Sequence, residues 1–160
     1  MATYSAKSPY LFQFIGSQQD KVFLLNWKAS VLPKQKFLGW LILHHKVLTA
    51  ENMLIRHWEC DWICPLCRGE FEDTDHLFRQ CDFLKETWNL VSAVQGIQNN
   101  QTYCSIKEWM AGIMQNENKT EVRRKVGVLV KTWWHIWLQR NAKIFRGEEP
   151  NVQRTAHQII

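Results

Sequence analysis

The sequence has little glycine and proline, no long apolar run and no alternating pattern typical of strands. Seven glycines and four prolines in 160 residues leave no glycine-rich loop that could cradle a phosphate. The longest apolar run, residues 37–43, is far too short to span a bilayer, so we expect no membrane partner. Without internal repeats or low-complexity linkers, the chain is expected to be one all-α domain over residues 1–160.

The net charge is only +5, but it is unevenly distributed: acids are scarce at both ends of the chain, and basic residues are scarce in the middle. Residues 1–50 carry six lysines and one acid, and residues 118–160 carry nine basic groups and three acids. Residues 51–117 are acidic, with eleven acids against five basic groups. A surface that binds phosphates must be basic. We therefore expect any contact with nucleic acid to come from the two ends of the chain.

The five cysteines are an odd number, which disfavours a complete disulfide framework. Two of them form a C-x2-C pair, which favours metal binding in a reducing compartment over disulfides. We therefore expect an intracellular protein, cytoplasmic or nuclear. The cysteines are Cys60, Cys64, Cys67, Cys81 and Cys104.

The array C-x2-C-x8-H-x4-C supplies the four ligands that one tetrahedral Zn²⁺ requires. It consists of Cys64, Cys67, His76 and Cys81. The turn at Pro65-Leu66 lets two thiolates point at one ion. His76 and Cys81 are five residues apart, so they can lie near one side of a helical turn and the residue that ends it. Four protein ligands leave no position for water, so the zinc is expected to be structural and to stabilise the fold.

Two other interpretations of this array remain open. The cysteines could form a buried cluster without metal, or the C-x2-C pair could be redox-active. A redox pair normally opens a helix after a strand in a βαβ unit, and no such unit is visible. Cys60 is close enough in sequence to compete for the ion. The paired histidines His44 and His45 could be ligands, but a polar helix terminus is the more ordinary interpretation.

Apolar periodicity and capping residues predict several short helices around the zinc module, which should cover about 58–95. The first predicted helix begins after Ser8-Pro9 and ends at Gly16, the second begins after Asp20, and the third covers about 34–45. The fourth runs from an N-cap at Thr49 to about Trp58, the fifth covers about 82–94, and the sixth follows the capping box Ser105-x-x-Glu108. The side chains expected on the inner faces of the helices before the zinc module are Val22, Phe23, Leu24, Trp27, Phe37, Leu38, Leu41 and Ile42. The pattern of Phe83, Trp88, Leu90, Val91 and Val94 predicts an amphipathic helix, and Trp109, Met110 and Ile113 follow the capping box.

The clearest prediction is a long C-terminal amphipathic helix over about 120–146, closed by Gly147. At 100° per residue, one arc of this helix is apolar. That arc holds Val122, Val126, Leu129, Val130, Trp133, Trp137 and Ile144. The opposite side carries Arg124, Lys131, His135 and Arg146, either as a solvated face or as a nucleic-acid-binding stripe. A further helix is expected after Pro150.

Arg140 lies inside the apolar arc of that helix, where an unpaired charge would be costly. We expect Arg140 to be stacked on a tryptophan or paired with an acid, and we regard Trp137 and Arg140 as structural. The acids of the zinc segment are expected to be solvated or to pair with Arg68 and Arg79. They are Glu70, Glu72, Asp73 and Asp75.

Several segments in order resemble the zinc-binding region downstream of the reverse transcriptase in plant LINE-type retroelements. They are Tyr4-Ser5-Ala6-Lys7-Ser8, Trp27, residues 33–41, Leu48-Thr49, Cys64-Pro65-Leu66-Cys67, Asp75-His76-Leu77-Phe78, Cys81, Trp88, residues 134–141 with the Trp-x-x-Arg-Asn motif, and Ile144-Phe145.

This resemblance covers nearly the whole chain and implies that the same four residues are the metal ligands, with Cys60 outside the set. It also implies some handling of nucleic acid. No Tyr-x-Asp-Asp pair of metal-binding carboxylates is present, so the chain holds no polymerase centre. We expect either a fragment or a stand-alone descendant of such an element.

The sequence favours a non-catalytic module that binds a protein partner and that the plant host has reused. The arguments are the closed zinc site, the acidic zinc segment and nine tryptophans, some of them expected at the surface. The candidates for surface positions are Trp58, Trp62, Trp88, Trp109 and Trp134. The alternative is binding of RNA or single-stranded nucleic acid, supported by the basic ends and a pI near 9.0. We expect no enzymatic activity, because no nucleophile lies beside a base.

Overall fold

A long helix, α6 (Lys119–Arg146), is the element against which most of the others pack. The computed structural model describes residues 21–98, 103–113, 115 and 117–160. Besides α6, these residues form α1 (Lys21–Lys28), α2 (Pro33–Leu43), α3 (Ala50–Ile55), a π-helical turn (His76–Gln80), α4 (Asp82–Gln95), α5 (Ile106–Gly112) and α7 (Val152–Ile159). No strand occurs in these ranges, and the all-α prediction is confirmed. The predicted helix after Pro9 and the Asp20 cap lie outside the described residues.

Helix α6 is delimited by residues suited to its two ends. The side chain of Asn118 accepts a hydrogen bond from the Glu121 N–H, which is an N-cap. Gly147 adopts a left-handed conformation with φ of 66°, and its N–H donates to the carbonyl of Lys143. The predicted closure by glycine is therefore confirmed. α1, α2, α7 and the π-helical turn all contact α6.

The apolar arc of α6 forms the centre of the core, with Val126, Leu129, Val130 and Trp133 buried. The prediction fails at the C-terminal end of the arc, where Trp137 is only half-buried and Ile144 is exposed. Further exposed side chains that were predicted to be inner are Leu24, Trp27, Phe37, Leu90 and Val94.

Three tryptophans from three helices meet edge to face in the core. The ring centroids of Trp88 and Trp109 are 5.2 Å apart, and those of Trp109 and Trp133 are 6.2 Å apart. Such pairs stabilise beyond the area that they bury. The indole N–H of Trp133 donates to the carbonyl of Phe78 at 3.1 Å, which joins α6 to the π-helical turn.

Helices α1 and α2 approach closely at Gly39. A Cβ at this position would lie 2.2 Å from Oδ1 of Asn26. The amide of Asn26 is fully buried and donates to the carbonyl of Lys36 at 2.8 Å. Only glycine therefore fits at this crossing.

The two shortest helices differ in how their predicted caps turned out. In α5, Ser105 accepts the N–H of Glu108 as predicted. In α3, the side chain of Thr49 makes no capping bond, and the carboxylate of Glu72 accepts the N–H of Ala50 instead. The helix also ends at Ile55 instead of near Trp58. A cap that comes from a distant loop leaves no local sequence signal.

Helix α7 confirms the predicted helix after Pro150 and packs against α4 and α6. Thr155, Ala156 and Ile159 are its buried residues. In the part of the chain that the structure describes, every helix is too short or too polar to cross a lipid bilayer.

Candidate metal centre

The four predicted zinc ligands converge on one point. Their ligand atoms, one from each of Cys64, Cys67, His76 and Cys81, all lie within 4.8 Å of one another. Sγ of Cys64 is 3.9 Å from Sγ of Cys81, and Sγ of Cys67 is 3.3 Å from Nε2 of His76. A tetrahedral zinc with Zn–S bonds of about 2.3 Å places its sulfurs about 3.8 Å apart. The spacing and the donor set therefore fit one zinc ion.

A tight loop presents the first two ligands. The N–H of Cys64 donates to the carbonyl of Glu70 at 2.8 Å, and the N–H of Arg68 donates to the carbonyl of Cys64 at 2.8 Å. An isolated antiparallel bridge joins Ile63 to Phe71 at the base of this loop. Arg68 has a positive φ of 57°, which reverses the chain directly after Cys67. Both thiols therefore face the same side of the loop.

The π-helical turn presents the other two ligands. Residues five apart on an α-helix point about 140° away from each other. Here the N–H of Cys81 donates to the carbonyl of His76 at 2.7 Å, and the wider turn brings both side chains to one side. The carboxylate of Asp73 accepts the N–H of His76 at 2.6 Å and anchors the start of the turn. The sequence predicted a helical turn here, but nothing in it distinguishes a π-turn.

The site is largely withdrawn from solvent. Cys64 and Cys81 are fully buried, His76 is 4% exposed, and Cys67 is half-buried. A hydrogen bond with Cys81 lowers the pKa of Cys64 to about 4, and the same interaction raises the pKa of Cys81. Burial opposes protonation of His76, yet the neighbouring Cys64 thiolate raises its pKa overall. The cluster thus attracts positive charge to a buried point, which is what a divalent cation supplies.

A buried ion pair between Glu72 of the zinc segment and Arg140 of α6 explains the unusual position of Arg140. Its guanidinium donates to both carboxylate oxygens of Glu72, at 2.6 and 3.1 Å. The side chains of Arg140 and Glu72 are only 4% and 1% exposed. Arg140 also lies 5.1 Å from the ring centroid of Trp137. Both contacts predicted for Arg140 are therefore present.

Glu72 joins three parts of the fold. Its side chain binds Arg140 of α6 and caps α3 through the N–H of Ala50. Its own N–H donates to the carbonyl of Trp62 in the zinc loop at 2.9 Å. The sequence suggested solvent or Arg68 and Arg79 as partners for this acid, which was wrong for Glu72. An arginine 68 residues further along the chain gives no local signal.

Asp75, another acid of the zinc segment, is engaged nearer the surface. Asp75 pairs with Arg79 at 3.3 Å, as predicted. Arg68 instead pairs with Glu149, which follows α6, at 3.2 Å. This exposed contact links the zinc loop to the end of the long helix.

The remaining metal candidates are used elsewhere. Sγ of Cys60 lies 3.8 Å from the carbonyl of Ala50, and Cys60 is not part of the four-residue cluster. His44 stacks on Phe23, with ring centroids 4.4 Å apart. Nδ1 of His45 lies 4.0 Å from the carboxylate of Asp75. The structure therefore offers no metal role to these side chains among the residues that it describes.

The four residues of the predicted nucleic-acid stripe on α6 all have intramolecular contacts. Arg124 binds Glu121 and Gln95, and Arg146 binds Glu148. Glu121 lies on α6 itself, Gln95 lies on α4, and Glu148 follows α6.

The middle of the same stripe lies beside α7. Nζ of Lys131 donates to the carbonyl of Ile159 at 2.6 Å. His135 is half-buried, and its pKa is lowered by burial and by the charge of Lys131, against a hydrogen bond with Gln158. Lys131 and His135 thus help to hold α7 in place. Nucleic-acid binding by this stripe stays a prediction.

The tryptophans proposed as surface residues divide into three groups: buried, exposed and half-buried. Trp88 and Trp109 belong to the core, which corrects that expectation. Trp58 and Trp62 are 52% and 56% exposed near the zinc loop. Trp134 is half-buried, with Nζ of Lys34 5.1 Å from its ring centroid.

Comparison with known proteins places this geometry in context. The family model described as "zinc-binding in reverse transcriptase" matches residues 4–88, just over half of the chain and including all four ligands. The chain is also 28% identical over 120 residues to a protein of Arabidopsis thaliana named "Putative ribonuclease H protein". The aligned segment is 74% of this chain and 19% of that protein, so the chain spans about a fifth of that relative. No solved structure matches significantly.

Proposed function

Because the chain belongs to the family of zinc-binding domains of reverse transcriptases, we propose that it is a zinc-stabilised, non-catalytic module that binds nucleic acid. The zinc is structural in this proposal. Three sulfurs and one imidazole satisfy a tetrahedral ion, and a catalytic zinc needs a position for water or substrate.

The observation that carries the nucleic-acid proposal is the composition of α1, α2 and their connections. Residues 21–50 contain five lysines and no aspartate or glutamate. Phosphate contacts need such an excess of positive charge, and exposed aromatic side chains on the same segment could stack on bases. The name of the Arabidopsis relative also refers to an enzyme of nucleic acids, which supports the same class of ligand.

A protein partner is the second candidate and has its own observation. Trp58 and Trp62, each more than half exposed, lie near an acidic loop where phosphate binding is disfavoured. Exposed tryptophans are common anchors of protein interfaces. The sequence ranked this candidate first, but the burial of Trp88 and Trp109 removes part of its support.

Fluorescence anisotropy with the zinc-loaded chain and labelled 20-nucleotide single-stranded RNA or DNA tests the proposal. We expect saturable binding whose affinity falls steeply between about 50 and 200 mM salt. A neutral polymer at the same concentration is the control for crowding. No saturable binding at the lowest salt would rule the proposal out and leave the protein partner as the better candidate.

A further inference from the structure

Four aromatic rings form a continuous row across α1 and α2. The ring of Phe23 stacks on His44 with centroids 4.4 Å apart, and His44 lies 4.6 Å from Trp40. Trp40 is followed by Phe37 at 6.0 Å, with the two rings nearly parallel. We call these four residues the aromatic row. Its open end is Phe37, whose side chain is 55% exposed.

Lysines lie over the faces and ends of the aromatic row. Nζ of Lys46 is 5.9 Å from the ring centroid of Trp40, and Nζ of Lys107 is 4.9 Å from that of Phe23. Lys107 comes from α5, so two separate parts of the chain bring positive charge to the same place. Asp75, whose carboxylate lies 4.0 Å from Nδ1 of His45, is paired with Arg79.

His44 at the middle of the row is suited to stacking and not to an ion pair. Burial, followed by the charges of Lys46 and Lys107, lowers the pKa of His44. The imidazole is therefore neutral at neutral pH and offers an uncharged aromatic face.

We propose that the aromatic row is a stacking platform for single-stranded nucleic acid, with Lys46 contacting the phosphates. This inference rests on the proposed function and assigns it a site. Unpaired bases can stack on aromatic faces in any sequence, and lysines that flank the rings can follow the backbone. Bases in a duplex already stack on one another, so a duplex gains only the phosphate contacts. The site therefore distinguishes single-stranded from double-stranded nucleic acid and does not distinguish base sequences.

Two single substitutions test the site, each with a matched control elsewhere on the surface. Phe37→Ser removes the open end of the row, and Lys46→Glu reverses a flanking charge. The controls are Phe145→Ser, which removes a phenylalanine that is 76% exposed on α6, and Lys119→Glu, which makes the same charge change at an exposed position. Zinc content and thermal unfolding of each variant show whether it folds.

We expect Phe37→Ser and Lys46→Glu each to weaken binding of single-stranded RNA by roughly tenfold, while the controls change it less than about twofold. A duplex of equal length should compete at least tenfold less well than the single strand. If Lys46→Glu and Lys119→Glu weakened binding equally, the role of Lys46 would be only unspecific electrostatic attraction, and the proposed site would be wrong.

Photo-cross-linking of the full chain to an oligonucleotide with 5-bromouracil locates the contact independently. The inference expects cross-linked peptides that contain Phe37, Trp40 or His44. Cross-links confined to Trp58 and Trp62, or to peptides of α6, would contradict it while leaving nucleic-acid binding intact. Absence of binding by the unmodified chain would instead remove the proposed function itself.

Discussion

At the scale of single residues, Glu72 and Arg140 do more than their charges alone suggest. Each is nearly inaccessible to solvent, and together they join α3, α6 and the zinc loop. A buried ion pair adds little net stability compared with apolar residues, because both charges lose their hydration. Loss of one partner is different, since it leaves the other charge buried without compensation. Removing only one of the two side chains should therefore destabilise the fold strongly.

Arg140→Met should lower the free energy of unfolding by about 3–5 kcal/mol, because it leaves the Glu72 carboxylate buried and unpaired. Arg68→Met breaks the exposed contact with Glu149 and is the matched control, with an expected effect of less than about 1 kcal/mol. Urea unfolding followed by circular dichroism measures both. Similar effects of the two substitutions would show that the buried pair has no special role.

His135 predicts a pH dependence of stability. Its pKa in the folded protein is below the ordinary value of 6.5, mainly because of burial. The unfolded chain therefore binds a proton more readily, and the stability that depends on neutral His135 is present above pH 6.5 and is lost as the pH falls.

The measurement compares unfolding of the unmodified chain and of His135→Gln at pH 7.5 and at pH 6. The variant should lose less stability on acidification, since it has no imidazole at this position to protonate. Acid effects on the zinc ligands occur in both proteins and cancel in the comparison. An identical loss in both proteins would contradict the predicted role of His135.

At the scale of the elements, the predicted helices were most accurate where local residues decide the boundaries. Asn118 and Gly147 delimit α6, and Ser105 with Glu108 starts α5. The predictions failed where a distant residue or the tertiary arrangement decides. Glu72 caps α3 from the zinc loop, and neither that cap nor the π-helical turn follows from local periodicity.

Exposure was the second weak point of the sequence-based interpretation. Periodicity identifies an apolar face, but it does not say whether another element covers that face. Phe37 and Val94 lie on predicted inner faces and are exposed, whereas Leu38 and Val91 on the same helices are buried. For Phe37 the difference is informative, because its exposure places an aromatic ring at the open end of the aromatic row.

The crossing of α1 and α2 gives a prediction at the level of elements. Gly39→Ala should lower the free energy of unfolding by about 1–3 kcal/mol, because its Cβ would overlap the buried side chain of Asn26. Gly69→Ala is the control, since a Cβ there would meet no atom closer than 4.0 Å.

A double-mutant cycle separates this clash from the gain in helix propensity that alanine brings in place of glycine. In Gly39→Ala combined with Asn26→Ala, the clash is absent, so the double variant should be more stable than the sum of the two single effects implies. Thermal unfolding of the four proteins gives the coupling. Simple additivity would mean that the two side chains do not meet as the structure indicates.

At the scale of the whole molecule, the metal centre joins a loop with little regular structure to the helical core. Cys64, Cys81 and the neighbouring Leu77 and Phe78 are part of the same buried cluster as α6. The zinc ligands could be predicted from their spacing alone, because metal geometry restricts the residue types and their order. The contacts between the zinc segment and α6 could not be predicted, since Arg140 binds Glu72 and Trp133 binds the carbonyl of Phe78 from a helix far along the chain.

Removal of zinc should therefore destabilise the entire domain and not only the loop. A strong chelator is expected to lower the unfolding temperature substantially and to reduce the near-ultraviolet signal of the packed tryptophans, with recovery when zinc is restored. Cys60→Ser serves as a control that retains the metal, because Cys60 lies outside the cluster. Unchanged unfolding with and without the metal would show that the ion has no structural role.

We infer that one zinc ion is held by three sulfurs and one imidazole nitrogen, with no coordination position left for water or substrate. X-ray absorption spectroscopy of the purified, zinc-loaded chain tests it most directly. We expect one zinc per chain, with three sulfurs at about 2.3 Å and one nitrogen at about 2.0 Å. An additional oxygen ligand, or fewer than three sulfurs, would contradict both the assignment of the ligands and the non-catalytic role.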